Sequence, residues 1–394
     1  MKIYYNNKTG CVTLCNDIKT NNLLEQDSSS SILPKSVMQG YLCGTEVNPE
    51  GDEITADQIY NSGFNYVLLC FFSISTDSTN GIKIEGNICC NNIEGYKDLA
   101  NQLIDKGVNI GICIGGDGCS GYDDSIKTAT DEQIITAFDK LREDLGIRFT
   151  GIDIDIEGFT GNINDRTTYI DKIGKALYLN KKDYFVTLAP TPEQFTPQGY
   201  NSNSLSPNWA VNLTPLYYKH VMIQWYEGGC VSGDTCPCWG SSDIIKDTCP
   251  KDPSSWDTNY SNELSTKCGI VDWIKAFSNR GNPKSSQWTT DKIVIGTKSW
   301  CGLVKPTKCS SDMDNGIWSA DQIINIVDKL NSNIGGVSIW NVNDYYSPGY
   351  ANTGNPVSSK CEFSNIVSNK LGIKSSSSTK KCTYNLTSSP CSSA

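Results

Sequence analysis

Histidine is almost absent from this sequence, and basic residues are fewer than acidic ones. The 394 residues include a single histidine, His220. One imidazole cannot build a metal centre alone, and no motif of a serine nucleophile accompanies it, so we interpret His220 as structural. The 33 Lys and Arg residues against 43 Asp and Glu give a net charge of −10. Such a surface repels phosphate backbones and anionic membranes, so we expect no nucleic-acid partner, whereas a neutral polysaccharide is compatible with it.

Long apolar runs are missing as well. No stretch approaches the roughly 20 apolar residues that cross a bilayer, so we expect no membrane span. The first residues, Met1–Lys8, lack the apolar core of a signal peptide. If the protein is secreted, its signal is not part of this sequence or its export follows another route.

Cysteine, in contrast, is abundant, with 18 residues. A zinc protein this rich in cysteine usually also contains histidine ligands, so disulfide bonds and an extracellular location are the simpler interpretation. Tripeptides that accept N-linked glycans point the same way and begin at Asn7, Asn212, Asn259 and Asn385. We therefore predict a secreted, disulfide-bonded glycoprotein, active as a monomer.

Short β-branched or apolar runs alternate with amphipathic helical patterns along the chain. Capping boxes, with a hydroxyl residue followed three positions later by Gln, open helices at Thr55, Thr130 and Ser319. Strand–helix alternation over eight units predicts one (β/α)8 TIM barrel, a fold of class α/β, over residues 36–374. The eight candidate strands are Val37–Cys43, Tyr66–Ile74, Val108–Ile114, Phe149–Ile156, Tyr184–Leu188, Val221–Tyr226, Lys292–Gly296 and Gly336–Trp340.

Three further segments surround or interrupt the predicted barrel. Residues 1–35 form a polar extension, and residues 375–394 form a tail rich in Ser, Thr and Lys. A Cys-rich and Trp-rich insertion lies between strands 6 and 7, at about 227–288. Its cysteines do not have the spacing of paired zinc knuckles, which favours disulfides. Its tryptophans either stack on sugar rings at the cleft or form the core of the insertion; they are Trp239, Trp256, Trp273 and Trp288.

Three acidic side chains alternate with isoleucines along the fourth candidate strand. Because strand side chains alternate faces, Asp153, Asp155 and Glu157 share one face. In a parallel barrel the isoleucines pack against the helices and the acids point inward. Partly buried carboxyl groups about 7 Å apart cannot all ionise cheaply, so at least one pKa should rise, as a general acid requires.

Two other interpretations of this strand stay open. The acids could face water on a half-exposed strand, or they could hold Mg²⁺ inside a barrel. Downstream of the third strand, Gly116–Gly121 has the spacing G-x-G-x-x-G of a dinucleotide site, but no helix follows it directly, so we interpret it as a loop.

The acidic strand resembles the D-G-x-D-x-D-x-E signature of the family 18 glycoside hydrolases, the chitinases and their relatives. Three other segments agree in order and spacing. Cys113–Gly116 resembles the S-x-G-G motif of strand three, and Gln224–Glu227 resembles the M-x-Y-D motif of strand six. Trp340 is similar to the tryptophan of strand eight. The Gln-x-Tyr form of the strand-six motif is closest to the plant and fungal class III type branch.

This resemblance implies a retaining, substrate-assisted mechanism without a cofactor. Glu157 would protonate the glycosidic oxygen while the acetamido oxygen of the substrate attacks the anomeric carbon. Asp155 would orient the acetamide, and Asp153 beneath it would share its proton. Tyr226 would hydrogen-bond the acetamido carbonyl. The family pattern assigns further residues to substrate contacts or to support of the acids: Trp340 as the apolar floor, Gln224, Glu227, Tyr41, Cys113 and Gly116.

Three positions depart from the family pattern. Thr150 replaces the first Asp of the signature, Cys113 replaces the Ser of S-x-G-G, and Glu227 replaces the Asp of M-x-Y-D. The last two changes bear on rate and pH profile more than on the type of reaction. We therefore predict a chitinase that cleaves β-1,4-linked N-acetylglucosamine polymers internally. The alternatives are an endo-β-N-acetylglucosaminidase acting on N-glycans and a chitinase-like lectin or storage protein that does not cut.

Overall fold

The chain divides into two compact units, Met1–Ser30 and Ser31–Ala394. In the first unit, Lys2–Tyr5 pairs antiparallel with Val12–Cys15. The second unit contains the predicted barrel. The computed structural model describes residues 2–5, 12–15, 33–43, 53–86, 93–116, 125–156, 163–181, 183–191, 194, 210, 213–225, 270–278, 288–298, 320–346 and 360–373.

Eight parallel strands form the barrel, in the order that the sequence predicts. They are β1 (Val37–Cys43), β2 (Tyr66–Asp77), β3 (Asn109–Gly115), β4 (Gly151–Asp155), β5 (Phe185–Leu188), β6 (Tyr218–Gln224), β7 (Ile293–Lys298) and β8 (Gly336–Trp340). Each strand pairs in parallel with the next, and β8 pairs with β1, so the sheet closes on itself. The (β/α)8 fold prediction is confirmed.

Helices surround this ring. In the described ranges they are α1 (Ala56–Asn61), α2 (Ile93–Asp105), α3 (Ser125–Thr128), α4 (Asp131–Leu145), α5 (Ile163–Asn180), α6 (Ile270–Ser278), α7 (Ala320–Lys329), α8 (Val342–Tyr345) and α9 (Lys360–Lys370). None of these helices is long and apolar enough to cross a membrane.

Local sequence explains where two of the helices begin. Thr55 and Thr130 accept the backbone N–H three residues ahead, and the glutamines at those positions reach back to the cap backbone. Gly146 ends α4 in the left-handed conformation, with φ of 60°. Helix α7 begins where the third capping box predicts, although its cap residue Ser319 lies outside the described residues.

Alternation along the strands separates two apolar regions. Ile152, Ile154 and Ile156 are buried in the large region between sheet and helices. Inside the barrel, a smaller apolar group surrounds the acids and includes Tyr41 and Cys113. The acidic face of β4 therefore points into the barrel, and the interpretation that it faces water on a half-exposed strand is wrong.

A hairpin extends the barrel wall where the sequence analysis placed none. Strand β2 continues to Asp77 and pairs antiparallel with Gly81–Gly86. The Asp77 side chain accepts the backbone N–H groups of Thr79 and Asn80 at 2.7 and 3.0 Å, and Gly81 has φ of +86°. Such side-chain bonds to the backbone and a glycine with positive φ are typical of a tight turn that reverses the chain.

The predicted insertion lies mostly outside the described residues. Its cysteines, Trp239 and Trp256 lie outside the described residues, as do the side chain of Trp273 and the tail 375–394. Trp288 is described: it is fully buried and stacks on Tyr218, with ring centroids 6.1 Å apart. Trp288 therefore packs in the core and does not form a sugar-binding platform at the cleft.

Candidate active site

Two carboxyl groups point into the barrel from β4. Asp153 is fully buried and Asp155 is 3% exposed, with Asp155 nearer the end of the strand where its carbonyl groups emerge. In (β/α)8 enzymes this end of the barrel carries the catalytic groups. The third acid, Glu157, lies just beyond the described residues, which stop at Ile156.

Asp153 accepts three hydrogen bonds from three different strands. Tyr41 Oη donates to Oδ2 at 3.0 Å and Cys113 Sγ donates to the same oxygen at 3.3 Å. Thr187 Oγ1 donates to Oδ1 at 2.6 Å. Burial raises the pKa of Asp153 from 3.8 to about 6, and the three donors oppose that rise because they favour the charged form. Asp153 is therefore held rigidly, with a proton affinity suited to exchange near neutral pH.

Asp155 is fixed by the amide of Gln224 on β6. Gln224 Nε2 donates to Asp155 Oδ1 at 2.8 Å and to the carbonyl oxygen of Ala189 at 2.7 Å. A backbone carbonyl oxygen can only accept, so the nitrogen of the amide must face Ala189, and this settles the orientation of Gln224. Gln224, predicted from the sequence as a substrate contact, thus orients the middle acid of the row.

Aromatic rings stand beside the acids at the end of β8. Trp340, which is partly exposed, packs against Tyr41 with centroids 5.4 Å apart and stacks on Phe71 at 5.5 Å with an interplanar angle of 27°. Phe71 itself is 7% exposed. The indole is therefore held from two sides while part of its surface stays open, an arrangement suited to the apolar face of a sugar ring.

Two glycines allow β3 to approach this site closely. Gly115 has φ of +114°, and a Cβ there would overlap the carbonyl oxygen of Asp155. Gly116 has φ of +85°, donates its N–H to that same oxygen at 2.8 Å, and leaves room for the Phe71 ring. The Gly-Gly pair of the sequence motif is thus required by backbone conformation and by space, and it aligns the end of β3 with the end of β4.

A row of thiols leads from β1 to Asp153. Cys43 pairs in register with Cys70, which pairs with Cys113, and Cys113 pairs with Asp153. All three cysteines are thiols, not disulfides. Burial raises the pKa of Cys70 and of Cys113 well above the usual range, so both stay protonated and Cys113 can donate to the carboxylate.

Three residues that touch the acidic strand or its neighbours were not predicted from the sequence. Thr187 bonds Asp153 and is in turn contacted by Tyr66. Gln194 Nε2 donates to the carbonyl oxygen of Ile156 at 3.0 Å and so fixes the peptide that precedes Glu157. Thr187 and Tyr66 occupy inward positions of their strands, which was the available signal, whereas no pattern marks Gln194.

Other residues of the predicted site are not described. Tyr226 and Glu227 follow the last described residue of their segment, Trp225, and the glycine-rich segment after Gly116 also lies outside the described residues. Within the described residues, no three His, Cys, Asp or Glu side chains form a group able to hold a metal ion. The hypothesis of Mg²⁺ on this strand is disfavoured by the donors on Asp153, because O–H and S–H groups occupy the lone pairs that a cation would need.

Comparisons with known proteins place this geometry in context. No family model matches the sequence, and no curated protein matches it. Solved structures do match. A protein assigned as chitinase A from Streptomyces coelicolor aligns with a TM-score of 0.53 at 15% identity, covering 86% of this chain and 99% of that one. A family 18 chitinase from Chromobacterium violaceum aligns with a TM-score of 0.51 at 15% identity, covering 86% and 84%.

The fold is that of the family 18 chitinases. A mutant of the class V chitinase from Nicotiana tobaccum, solved in complex with NAG4, also aligns, with a TM-score of 0.51 at 13% identity over 86% of this chain and 99% of that one. At such identities the likeness shows the shared (β/α)8 fold alone. The branch within the family and the roles of individual residues therefore stay predictions.

Proposed function

We propose that this protein is a chitinase that hydrolyses β-1,4-linked N-acetylglucosamine polymers with retention of configuration. The observation that carries the proposal is the pair Asp153 and Asp155, buried inside a family 18 fold and each held by donors from other strands. Their place on β4 is where the sequence resembles the catalytic signature. The complex of the Nicotiana tobaccum relative with NAG4 supports N-acetylglucosamine oligomers as the ligand.

In the proposed mechanism, Glu157 donates its proton to the glycosidic oxygen, which leaves with the departing sugar. The acetamido oxygen of the remaining sugar forms a bond to the anomeric carbon, giving a cyclic oxazolinium cation. A water molecule then opens that ring, and Glu157 takes one of its protons. The substrate supplies the nucleophile, so the protein needs one strong proton donor instead of two carboxyl groups on opposite faces.

The described residues support the two steps through charge and position. Gln224 fixes Asp155 so that its carboxylate can face the acetamide nitrogen as positive charge develops, which is the preorganised electrostatic stabilisation that enzymes favour. Asp153 has a pKa of about 6 and lies on the same face, so we infer that the pair exchanges a proton as a unit. Trp340 is the proposed apolar floor, and Tyr226 and Glu227 keep their proposed substrate contacts.

The domain boundaries, the location and the oligomeric state of the protein are also proposals. We propose that residues 36–374 form the catalytic barrel, flanked by the extension 1–35 and the tail 375–394. We also propose that the protein is secreted and glycosylated, because the chain is rich in cysteine, and that it binds no nucleic acid, because it is acidic. We further propose that it acts as a monomer and requires no cofactor.

One assay tests the proposed reaction and its substrate together. The protein is incubated with a chitooligosaccharide, a high-mannose glycopeptide and a cello-oligosaccharide, and early products are followed by proton NMR. We expect cleavage of the chitooligosaccharide with the β-anomer formed first, and no cleavage of the cello-oligosaccharide, which lacks the acetamido nucleophile. Release of the glycan alone would instead establish the N-glycan alternative. An α-anomer, or rapid cleavage of the cello-oligosaccharide, would contradict the mechanism.

A further inference from the structure

Tyr66 reaches across the inside of the barrel to Thr187. Its Oη lies 3.3 Å from Thr187 Oγ1, although β2 and β5 are not neighbours in the sheet. Both side chains are fully buried. The phenol ring is held by Phe185, with centroids 5.4 Å apart in an edge-on arrangement. The contact therefore lies within the packed interior directly below the two acids.

Two glycines make room for this crossing. A Cβ at Gly111 on β3 would lie 2.7 Å from Tyr66 Oη, and a Cβ at Gly151 on β4 would lie 2.5 Å from it. Real side chains do not tolerate such distances. Gly111 and Gly151 precede Cys113 and Asp153 by two residues on β3 and β4. Because neither glycine has a side chain, the phenol of Tyr66 occupies the space between them.

Each of the two hydroxyl groups, of Thr187 and of Tyr66, has one hydrogen to donate, and this fixes the direction of the hydrogen bonds. The Thr187 hydroxyl has one hydrogen, and it donates that hydrogen to Asp153 Oδ1 at 2.6 Å, a length typical of donation to an ionised oxygen. The phenol must then donate to Thr187. Burial raises the pKa of Tyr66 well above its usual value of 10, so the phenol keeps its hydrogen throughout the range in which enzymes work.

We propose that Thr187, held by the hydroxyl of Tyr66, is a positioning residue that fixes the charged carboxylate of Asp153 beneath Asp155. The consequence for catalysis rests on the proposed function, whereas the hydrogen-bonded chain itself does not. Tyr41 and Cys113 both bond Oδ2, and Thr187 alone among the described residues bonds Oδ1. Without Thr187, Oδ1 would lose this bond and the carboxylate would be held through Oδ2 alone, so its charged form would be less stable.

Titratable groups surround Asp153 on several strands and must be considered together. They are Tyr41 on β1, Tyr66 and Cys70 on β2, Cys113 on β3 and Asp155 on β4, with His220 on β6 beside Thr187. Tyr66 and the two thiols have raised pKa values and remain neutral. Burial lowers the pKa of His220 to about 3, so it is also neutral near pH 7. Among these groups, Asp153, with a pKa of about 6, is therefore the one whose charge changes between pH 4 and pH 8.

The test is a double-mutant cycle between Thr187→Val and Asp153→Asn, read by thermal unfolding at pH 4 and pH 8. Thr187→Val keeps the shape and removes only the hydroxyl. We expect it to lower the melting temperature more at pH 8, where Asp153 is charged, than at pH 4. In the Asp153→Asn background this dependence on pH should disappear. An equal loss at both pH values in both backgrounds would overturn the inference, whatever the activity of the protein.

The pH profile of kcat/KM is a second measurement, independent of the thermal unfolding cycle. In Thr187→Val the acidic limb of the kcat/KM profile should move to higher pH, by about one pH unit, because the charged carboxylate has lost a donor. Thr187→Ser should restore the profile, and Tyr66→Phe, which leaves Thr187 in place, should shift it less in the same direction. Tyr66→Phe also provides the measurement if Thr187→Val does not fold. Superimposed profiles for Thr187→Val and wild type would contradict the positioning role. Inactivity of the wild type would refute the proposed function while leaving the thermal cycle informative.

Discussion

Gln224 and Asp155 lie on strands separated by β5, yet the amide nitrogen of Gln224 is 2.8 Å from the carboxylate of Asp155. The same nitrogen also donates to the Ala189 carbonyl oxygen at the end of β5. One amide thus connects three strands at the mouth of the barrel. This connection fixes Asp155, the carboxyl group to which we assign stabilisation of the developing cation.

Replacement of Gln224 by Leu removes both donations while keeping similar bulk. We expect kcat/KM on a chitooligosaccharide to fall by about 10- to 100-fold, because a hydrogen bond to a charged group is typically worth about 1.5–3 kcal/mol. The loss should appear mainly in kcat, since the bond holds a group that acts as charge develops. If kcat were unchanged and KM alone rose, Gln224 would be a substrate contact and not an orienting residue.

Glu157→Gln should abolish hydrolysis and preserve binding, because the amide keeps the shape of the acid and has no proton to give to the leaving oxygen. Loss of general acid catalysis typically costs about 10²- to 10⁴-fold. Turnover of a chitooligosaccharide and its dissociation constant, measured by calorimetry on the inactive variant, check the two halves of the expectation. Activity within about threefold of wild type would remove Glu157 from the mechanism.

The secreted interpretation predicts that most cysteines are oxidised, apart from the three thiols of the row inside the barrel. Cys43, Cys70 and Cys113 are thiols in the structure, and Cys70 and Cys113 are fully buried. Titration with a thiol reagent in denaturant, without reductant, should therefore find few thiols beyond these three in protein from an oxidising compartment. Reduction should lower the melting temperature, since each bridge typically restrains the unfolded chain by about 2–4 kcal/mol. Nearly all 18 cysteines titrating as thiols would contradict both the disulfides and the secretion.

His220 should stay uncharged well below the pH at which free histidine titrates. It is 2% exposed, its Nε2–H donates to the Lys35 carbonyl oxygen at 3.2 Å, and burial lowers its pKa from 6.5 to about 3. A depressed histidine pKa means that the unfolded chain binds the proton more tightly. The stability linked to this group is therefore present above about pH 6.5 and is lost as pH falls toward 3. Because the chain has one histidine, its imidazole NMR signals are unambiguous, and they should not move between pH 8 and pH 5. A midpoint near 6.5 in the native protein would show that the ring is hydrated.

The barrel and the inward direction of the two aspartates could be predicted from the sequence because both depend on local periodicity. Ile152, Asp153, Ile154 and Asp155 alternate between the two faces of a short strand, and that pattern alone decides which residues meet the helices. The hairpin after Asp77 also had a local signal, Asn80-Gly81 before the alternating Ile82 and Ile84, which the sequence analysis overlooked.

Tyr41 and Cys113, which the family pattern named, do contact Asp153, but the contact from Thr187 could not be predicted, because it depends on the register between two strands. Thr187 meets Asp153 through the register of β4 and β5, and Tyr66 meets Thr187 across the interior. Nothing in the sequence around Thr187 fixes that register. Gly111 and Gly151 have a clear physical reason only once the phenol between them is seen.

Replacement of the Cys113 thiol by the hydroxyl of serine should change the pH dependence of activity. Cys113 is buried, is not in a disulfide, and directs Sγ to Asp153 Oδ2 at 3.3 Å. A thiol is a weaker donor than a hydroxyl, so serine at this position should stabilise the carboxylate more. Donation to the charged form lowers a carboxyl pKa, so the pKa of Asp153 should fall. We therefore expect Cys113→Ser to move the acidic limb of the kcat/KM profile to lower pH, by a few tenths of a pH unit to about one.

Cys43→Ser is the matched control, because it makes the same chemical change at the far end of the thiol row, on β1. Its profile should superimpose on that of the wild type, since Cys43 is separated from Asp153 by both Cys70 and Cys113 in the register of the sheet. Equal shifts in the two variants would mean that the general polarity of the interior, and not the bond from residue 113, sets the pH profile. An unchanged profile for Cys113→Ser would show that Tyr41 and Thr187 already determine the charge of Asp153 without the thiol.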